Sequence, residues 1–181
     1  ILTPTRELAA QVEESVRVYG KYLPIKSLLI FGGVGMNPQI DALRRGVDIL
    51  VATPGRLLDH HQQGTVDLSQ VEYFVLDEAD RMLDLGFADD LAEVNQLTIE
   101  RKQTMMFSAT LAPRIQQLAT RVMREPQRVQ IDTPQEKHQN IKQILFWADT
   151  AQHKRKLLDH WLRDTSINQA IVFASTQIEC D

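Results

Sequence analysis

The 181 residues hold one cysteine, Cys180, so no internal disulfide can staple the chain and no cysteine pair can bind zinc. The five histidines, at 60, 61, 138, 153 and 160, lack the paired spacing of a metal site, and the adjacent His60 and His61 read as solvent-facing helix residues. No apolar run approaches the roughly 20 residues that span a bilayer, and no charged-then-apolar leader opens the chain. No membrane is therefore expected, and a cytoplasmic setting is the default. Positive charge is not in excess either. The net charge is −4, with 14 basic and 17 acidic side chains in residues 1–131 and 6 and 7 in the rest. Global attraction to a polyanion is excluded, and any nucleic-acid binding must come from a local site.

With 43% apolar and 24% charged residues, the composition is that of an ordinary globular protein, long enough for one core and part of a second. Apolar, β-branched runs at 27–31 (SLLIF), 48–52 (DILVA), 73–77 (YFVLD), 103–107 (QTMMF) and 128–131 (RVQI) predict strands. Between them Leu8, Val12, Val16 and Tyr19, and later Ile115, Leu118, Ala119 and Val122, recur at helical steps. Strands alternating with helices predict an α/β fold with a mostly parallel sheet. The polar stretch DTPQEKHQN reads as a linker over 132–140. The pattern then restarts with a strand at 141–148, a helix at 153–164 and a strand at 169–175. The expected division is a domain over 1–131, the linker, and the beginning of a second domain over 141–181. Because the sequence opens on Ile1 and stops inside IVFASTQIECD, a fragment of a longer chain is expected.

In a parallel sheet all strand C-termini share one edge, and ligands bind outside it. Two predicted strand ends carry Thr-Pro-x-Arg, at 3–6 and 53–56. Thr is a good N-cap and Pro suits the first helical position, so each copy can be only an efficient helix start. Each also puts an arginine at the positive end of a helix dipole, a conflict that a bound anion would relieve. Two copies suit successive phosphates. Gly32, Gly33 and Gly35 follow another strand and allow close approach of such a backbone, or serve simply as a turn. A fourth end, DEAD (77–80), sets an aspartate and then a glutamate after an apolar strand. This pairing suits Mg²⁺ and a water-orienting base, the repulsion among carboxylates being offset by the cation; the alternative is an acidic helix N-terminus. Asp84 and Asp89 read as solvated helix charges. In FSATLAP, Ser108 and Thr110 bring two hydroxyls beside the carboxylates if the two strands are neighbours, either as a cap or as a link between the acidic site and the phosphate-binding edge.

PTRELAAQ, GG, VATPGRLLD, VLDEADRMLDLGF and FSAT, in this order, resemble motifs Ia, GG, Ib, II and III of the DEAD-box ATP-dependent RNA helicases, and IVFAST resembles motif IV. The wording around them is most similar to bacterial RhlE-type members. The resemblance implies a partial RecA-like (P-loop NTPase) parallel sheet flanked by helices, followed by the start of a second RecA-like domain, the two closing over ATP-Mg²⁺ and RNA. It implies that Asp77 reaches Mg²⁺, directly or through water, and that Glu78 acts as base or orients the attacking water. Asp80, Ser108 and Thr110 would couple nucleotide state to interdomain closure. Pro4, Thr5, Arg6, Gly33, Thr53, Pro54, Gly55 and Arg56 would line the RNA backbone, and residues 173–176 would face the cleft from the second domain. The RNA would be a single strand or short duplex, held largely without regard to sequence, by a monomer.

The chain departs from the family in one decisive place. A P-loop needs G-x-x-x-x-G-K-[ST], and Gly20-Lys21 is followed by Tyr22, with Ser15 where the first glycine belongs. The Q motif and motifs V and VI are also absent. The parent protein is thus expected to be an ATPase and this chain alone is not. An ATP-dependent RNA clamp without unwinding, and a DNA-directed translocase, are the competing readings.

Overall fold

A computed structural model describes residues 1–131 and 142–174. The chain divides into two compact units, Ile1–Pro134 and Gln135–Asp181. In the first unit four short strands form where β-branched runs were expected: β1 (Ser27–Ile30), β2 (Ile49–Ala52), β3 (Tyr73–Leu76) and β4 (Gln103–Met106). β1 pairs in parallel with β2, and β3 with β4.

The opening residues join these two pairs. Leu2 bridges Ala52 on one side and Leu76 on the other, both in parallel. Its N–H donates to the Val75 carbonyl at 2.8 Å, and its carbonyl accepts from Asp77 N–H at 3.0 Å. On the other side Ala52 N–H donates to the Ile1 carbonyl, and Thr3 N–H to the Ala52 carbonyl. The spatial order is therefore β1, β2, the 1–3 segment, β3, β4. Leu2 is 1% exposed; burial on both faces of a central parallel strand explains why this segment is apolar without alternation.

Among the described residues six helices complete this unit: α1 (Arg6–Tyr19), α2 (Asn37–Arg44), α3 (Pro54–Gln62), α4 (Ala79–Asp84), α5 (Ala88–Leu97) and α6 (Pro113–Val122). Leu57, Leu58, Met82, Leu91, Val94, Leu118 and Val122 from these helices pack with Leu2, Ile30, Ala52, Phe74 and Leu76 in one core. Each fully buried Leu, Ile, Val, Met or Phe among them contributes about 1.5–3 kcal/mol of transfer free energy. Tyr19, expected on the apolar face of α1, is instead 84% exposed. Arg101 ties the far side together. It donates to the carbonyls of Asn95, Thr98 and Val122 and to the side chains of Asn95, Thr98 and Thr104, and stacks 5.1 Å over the Phe74 ring.

Three expected strands do not form. Residues 128–131, 142–148 and 169–174 carry no strand, and Val129, Ile131, Leu145, Trp147, Ile171 and Phe173 in them are all at least 78% exposed. A β-branched run becomes a strand only when a neighbour pairs its backbone groups, and no such neighbour exists among the described residues. The second unit's one described element is α7 (Ala151–Leu162), close to the helix expected at 153–164 and capped by the Thr150 hydroxyl on His153 N–H. The linker at 132–140 lies outside the described residues.

Candidate nucleic-acid and nucleotide rim

Parallel pairing brings five chain segments to one edge. Crossing the sheet, residues 31–36 follow β1, Thr53 to Arg56 follow β2, Thr3 to Arg6 follow the opening segment, Asp77 to Asp80 follow β3 and Phe107 to Thr110 follow β4. Asp77 and Arg56, the two ends of the expected chemistry, lie on the same edge. A cavity of about 830 Å³, lined by Ile49, Leu68 and Tyr73 among others, sits at the opposite ends of the strands.

The two Thr-Pro-x-Arg copies fold differently. At the second, Thr53 is the N-cap and Pro54 the first helical residue, as expected, although the Thr53 hydroxyl makes no capping bond. At the first, α1 begins two residues later, with Thr5 as N-cap accepting from Leu8 N–H at 3.3 Å. Thr3 and Pro4 are buried, and the Thr3 hydroxyl donates to the Thr5 carbonyl. Sheet pairing at the threonine does not separate the copies, since Thr3 N–H donates to the Ala52 carbonyl and Thr53 N–H to the Ile30 carbonyl. Helix geometry still leaves first-turn N–H groups of α1 and α3 facing this edge.

The two arginines also differ. Arg6 is exposed and pairs with Glu7 at 3.0 Å; that hydrogen bond, before any other cause, holds the Glu7 carboxyl below its ordinary value. Gly33 has φ +83°, a conformation that suits glycine, and a Cβ there would lie 3.8 Å from Arg6 Nη1. The glycine turn and the first arginine are thus spatial neighbours. Arg56 is held: its side chain is 10% exposed, and Nη1 donates to the Val34 carbonyl at 2.9 Å and to Gln39 Oε1 at 3.2 Å. Its Nε is buried without a hydrogen bond, 3.7 Å from Asp59 Oδ2. Asp59 and the Val34 carbonyl, rather than an anion alone, offset its position at the helix N-terminus. Nη2 has no hydrogen-bond partner among the described residues and is not fully buried, so one amino group is left without a protein acceptor.

His60, expected to face solvent, is fully buried. It lies four residues after Arg56, so both occupy one face of α3. Its Nε2 is 2.8 Å from Gln39 Oε1 and its Nδ1 2.8 Å from the Thr65 hydroxyl. Burial first, then the nearby Arg56 charge, holds its pKa below the usual histidine value, with Asp59 opposing. Gln39, His60 and Thr65 were not expected at the site. The spacing from Arg56 to His60 was the available signal, whereas Gln39, 21 residues before His60, left none.

At the acidic end the carboxylates do not converge. Asp77 Oδ1 accepts from Glu78 N–H and Asp80 Oδ1 from Arg81 N–H, both at 3.0 Å. No group of three or more ligand side chains able to hold a metal occurs among the described residues. The two backbone amides offset part of the crowding of charge locally. Mg²⁺ is ordinarily held through one or two carboxylates together with water and substrate phosphates, and the half-buried Asp77, with one oxygen uncommitted, fits that donor set. Glu78 is exposed and left-handed, φ 50° and ψ 52°, a conformation costly for a side chain with a Cβ. The segments after β3 and β4 touch through Ala79 N–H and the Phe107 carbonyl, 3.0 Å apart. Ser108 Oγ accepts from Thr110 N–H at 3.4 Å, and no hydrogen bond among the described residues joins either hydroxyl to Asp80. Asp84, expected to be merely solvated, pairs with Arg114 at 2.5 Å and so links α4 to α6.

Gly20 caps the end of α1 instead of opening a helix after a strand, and a Cβ there would meet Ile25 Cδ1 at 2.6 Å. No cradle for nucleotide phosphates forms at Gly20-Lys21. Of residues 173–176, Phe173 is 91% exposed, while Ser175 and Thr176 lie outside the described residues.

Comparison with known proteins bears on the same segments. A family model described as DEAD/DEAH box helicase matches residues 1–118. The ATP-dependent RNA helicase RhlB of Haemophilus influenzae is 39% identical over the whole of this chain, which covers 44% of that protein. The ATP-dependent RNA helicase DeaD of Klebsiella pneumoniae is 39% identical over 98% of the chain and 28% of its own length. The chain thus spans less than half of these curated relatives, whose names are RhlB and DeaD rather than RhlE. Among solved structures, a hypothetical ATP-dependent RNA helicase from Sulfolobus tokodaii superposes with a TM-score of 0.67 at 40% identity, over 70% of this chain and 38% of that one. A DEAD box protein from Methanococcus jannaschii gives 0.65 at 43%, over 68% and 34%. Both likenesses place the α/β architecture among RecA-like helicase domains. On this agreement of motifs, fold and sequence, the chain belongs to the DEAD/DEAH box helicase family.

Proposed function

We propose that the intact protein is an ATP-dependent RNA helicase that clamps the backbone of one strand and locally unwinds short duplexes. The observation that carries this reading is the alignment of the Thr-Pro-x-Arg, glycine-turn and DEAD segments along a single sheet edge. A line of phosphates suits that edge. First-turn N–H groups of α1 and α3, the exposed Arg6 and the open amino group of Arg56 supply donors and positive charge. Gly33 and Gly55 admit close approach, and Pro4, Thr5, Thr53 and Pro54 shape the surface between them. Contacts to phosphates carry little base information, so binding is largely independent of sequence and weakens with salt.

At the neighbouring segment Asp77 would hold Mg²⁺, through water, and the ion when bound supplies charge neutralisation at the nucleotide phosphates. Glu78, whose exposed carboxylate makes no hydrogen bond among the described residues, would orient the attacking water or accept its proton. Asp80, Ser108 and Thr110 would exchange their present local bonds for mutual ones when the nucleotide is bound. The P-loop would come from outside these 181 residues, so the chain alone would not hydrolyse ATP.

RNA-stimulated ATP hydrolysis by the full-length protein tests this reading. Glu78→Gln should abolish most of the stimulated rate while RNA is still bound, and a rate close to wild type would overturn the assigned chemistry.

A further inference from the structure

Arginine can only donate hydrogen bonds, and that fact sets the direction of every bond behind it. Arg56 Nη1 points at one atom of the Gln39 amide, which must be the oxygen; the amide nitrogen then donates to the Phe31 carbonyl at 3.2 Å. Since the same Oε1 is 2.8 Å from His60 Nε2, that ring nitrogen must carry the proton. In the neutral ring Nδ1 is then an acceptor, and the Thr65 hydroxyl donates to it. The His60 carbonyl does not need that hydroxyl, because Thr65 N–H already donates to it at 2.9 Å. Donors thus run from Thr65 to His60 to Gln39, where they meet the donor from Arg56, which also holds the Val34 carbonyl of the glycine turn. Gln39 and His60 are 7% and 0% exposed, so this relay is shielded from competition by water.

From this geometry we infer that Gln39 and His60 are positioning residues for RNA binding: they fix the Arg56 guanidinium with one amino group on the glycine turn and the other open to a phosphate. The inference rests on the proposed RNA-binding function of the rim. Neither residue touches RNA. Without the His60 donor, Gln39 is free to rotate its amide, its nitrogen faces Arg56, and the guanidinium loses its seat on the turn.

The test is steady-state ATP hydrolysis by the full-length protein with poly(U) as activator. His60→Leu should raise the poly(U) concentration for half-maximal stimulation about three- to tenfold, the worth of one net hydrogen bond, with the rate at saturating poly(U) little changed. His60→Gln, whose amide can replace Nε2–H, should restore the wild-type value within about twofold on the same scale. Gln39→Met gives the same readout from α2 if His60→Leu fails to fold. Unmoved half-stimulation in the Leu and Met variants, or no rescue by Gln, overturns the relay. Absence of any poly(U) stimulation in the wild type would instead overturn the proposed function, and this inference with it.

Discussion

Replacing Glu78 by glycine should stabilise the fold while removing its chemistry. Glu78 holds φ 50° and ψ 52° immediately after β3, and a left-handed backbone costs an L-residue roughly 1–2 kcal/mol. Glycine escapes that cost but loses about 0.5–1 kcal/mol more chain entropy on folding. The side chain is exposed and makes no capping bond, so little native contact is lost. Removing a carboxylate from a helix N-terminus costs a few tenths of a kcal/mol more. Alanine is the control, since it loses the carboxylate equally and keeps the Cβ. The difference between Glu78→Gly and Glu78→Ala should be about 1 kcal/mol in favour of glycine, or about 2–4 °C in Tm for a chain of this size. Urea and thermal denaturation followed by circular dichroism measure it. Equal stabilities for the two variants, or a less stable glycine variant, would refute the argument that the backbone here is strained. Both variants should lose RNA-stimulated ATP hydrolysis in the full-length protein.

Three further outcomes are expected. Arg101→Met should cost roughly 2–4 kcal/mol in urea denaturation, because it strands several carbonyl and side-chain acceptors on α5 and α6. Since the folded state holds the His60 pKa below its ordinary value, the unfolded chain binds the proton first as pH falls. Stability from neutral His60 is therefore complete above about pH 6.5 and lost progressively as pH falls toward the folded value, and Tm in His60→Gln should fall less between neutral and mildly acidic pH. Arg6→Ala should weaken poly(U) binding and lower the slope of log affinity against log salt by roughly one, as read by fluorescence anisotropy.

The rim was legible because its residue types are unusual where they occur. An aspartate ending a buried strand, and an arginine in the first turn of a helix, each break a local preference, and the parallel sheet brings those segments to one edge. Strand positions were legible to within a residue for β1 to β4, since apolar β-branched runs are both a burial signal and a propensity signal. The same signal failed at 128–131, 142–148 and 169–174, because propensity cannot supply the neighbour that pairs a strand. It failed at His60 for a different reason. A histidine among Asp59 and His61 reads as polar surface until Gln39 and Thr65 are seen to satisfy both ring nitrogens, and neither partner is close enough in helix spacing to be foreseen. The different folding of the two Thr-Pro-x-Arg copies was equally hidden, since both share the same residue types and both donate the threonine N–H to a neighbouring strand.

Hydrogen exchange of the full-length protein, measured by mass spectrometry with and without poly(U) in the presence of a non-hydrolysable ATP analogue, bears most directly on the single-edge account. Slower exchange at 3–6, 32–35 and 53–56, with the opposite strand ends at 47–49 and 70–73 unchanged, is the predicted result. Protection confined to those opposite ends would contradict it.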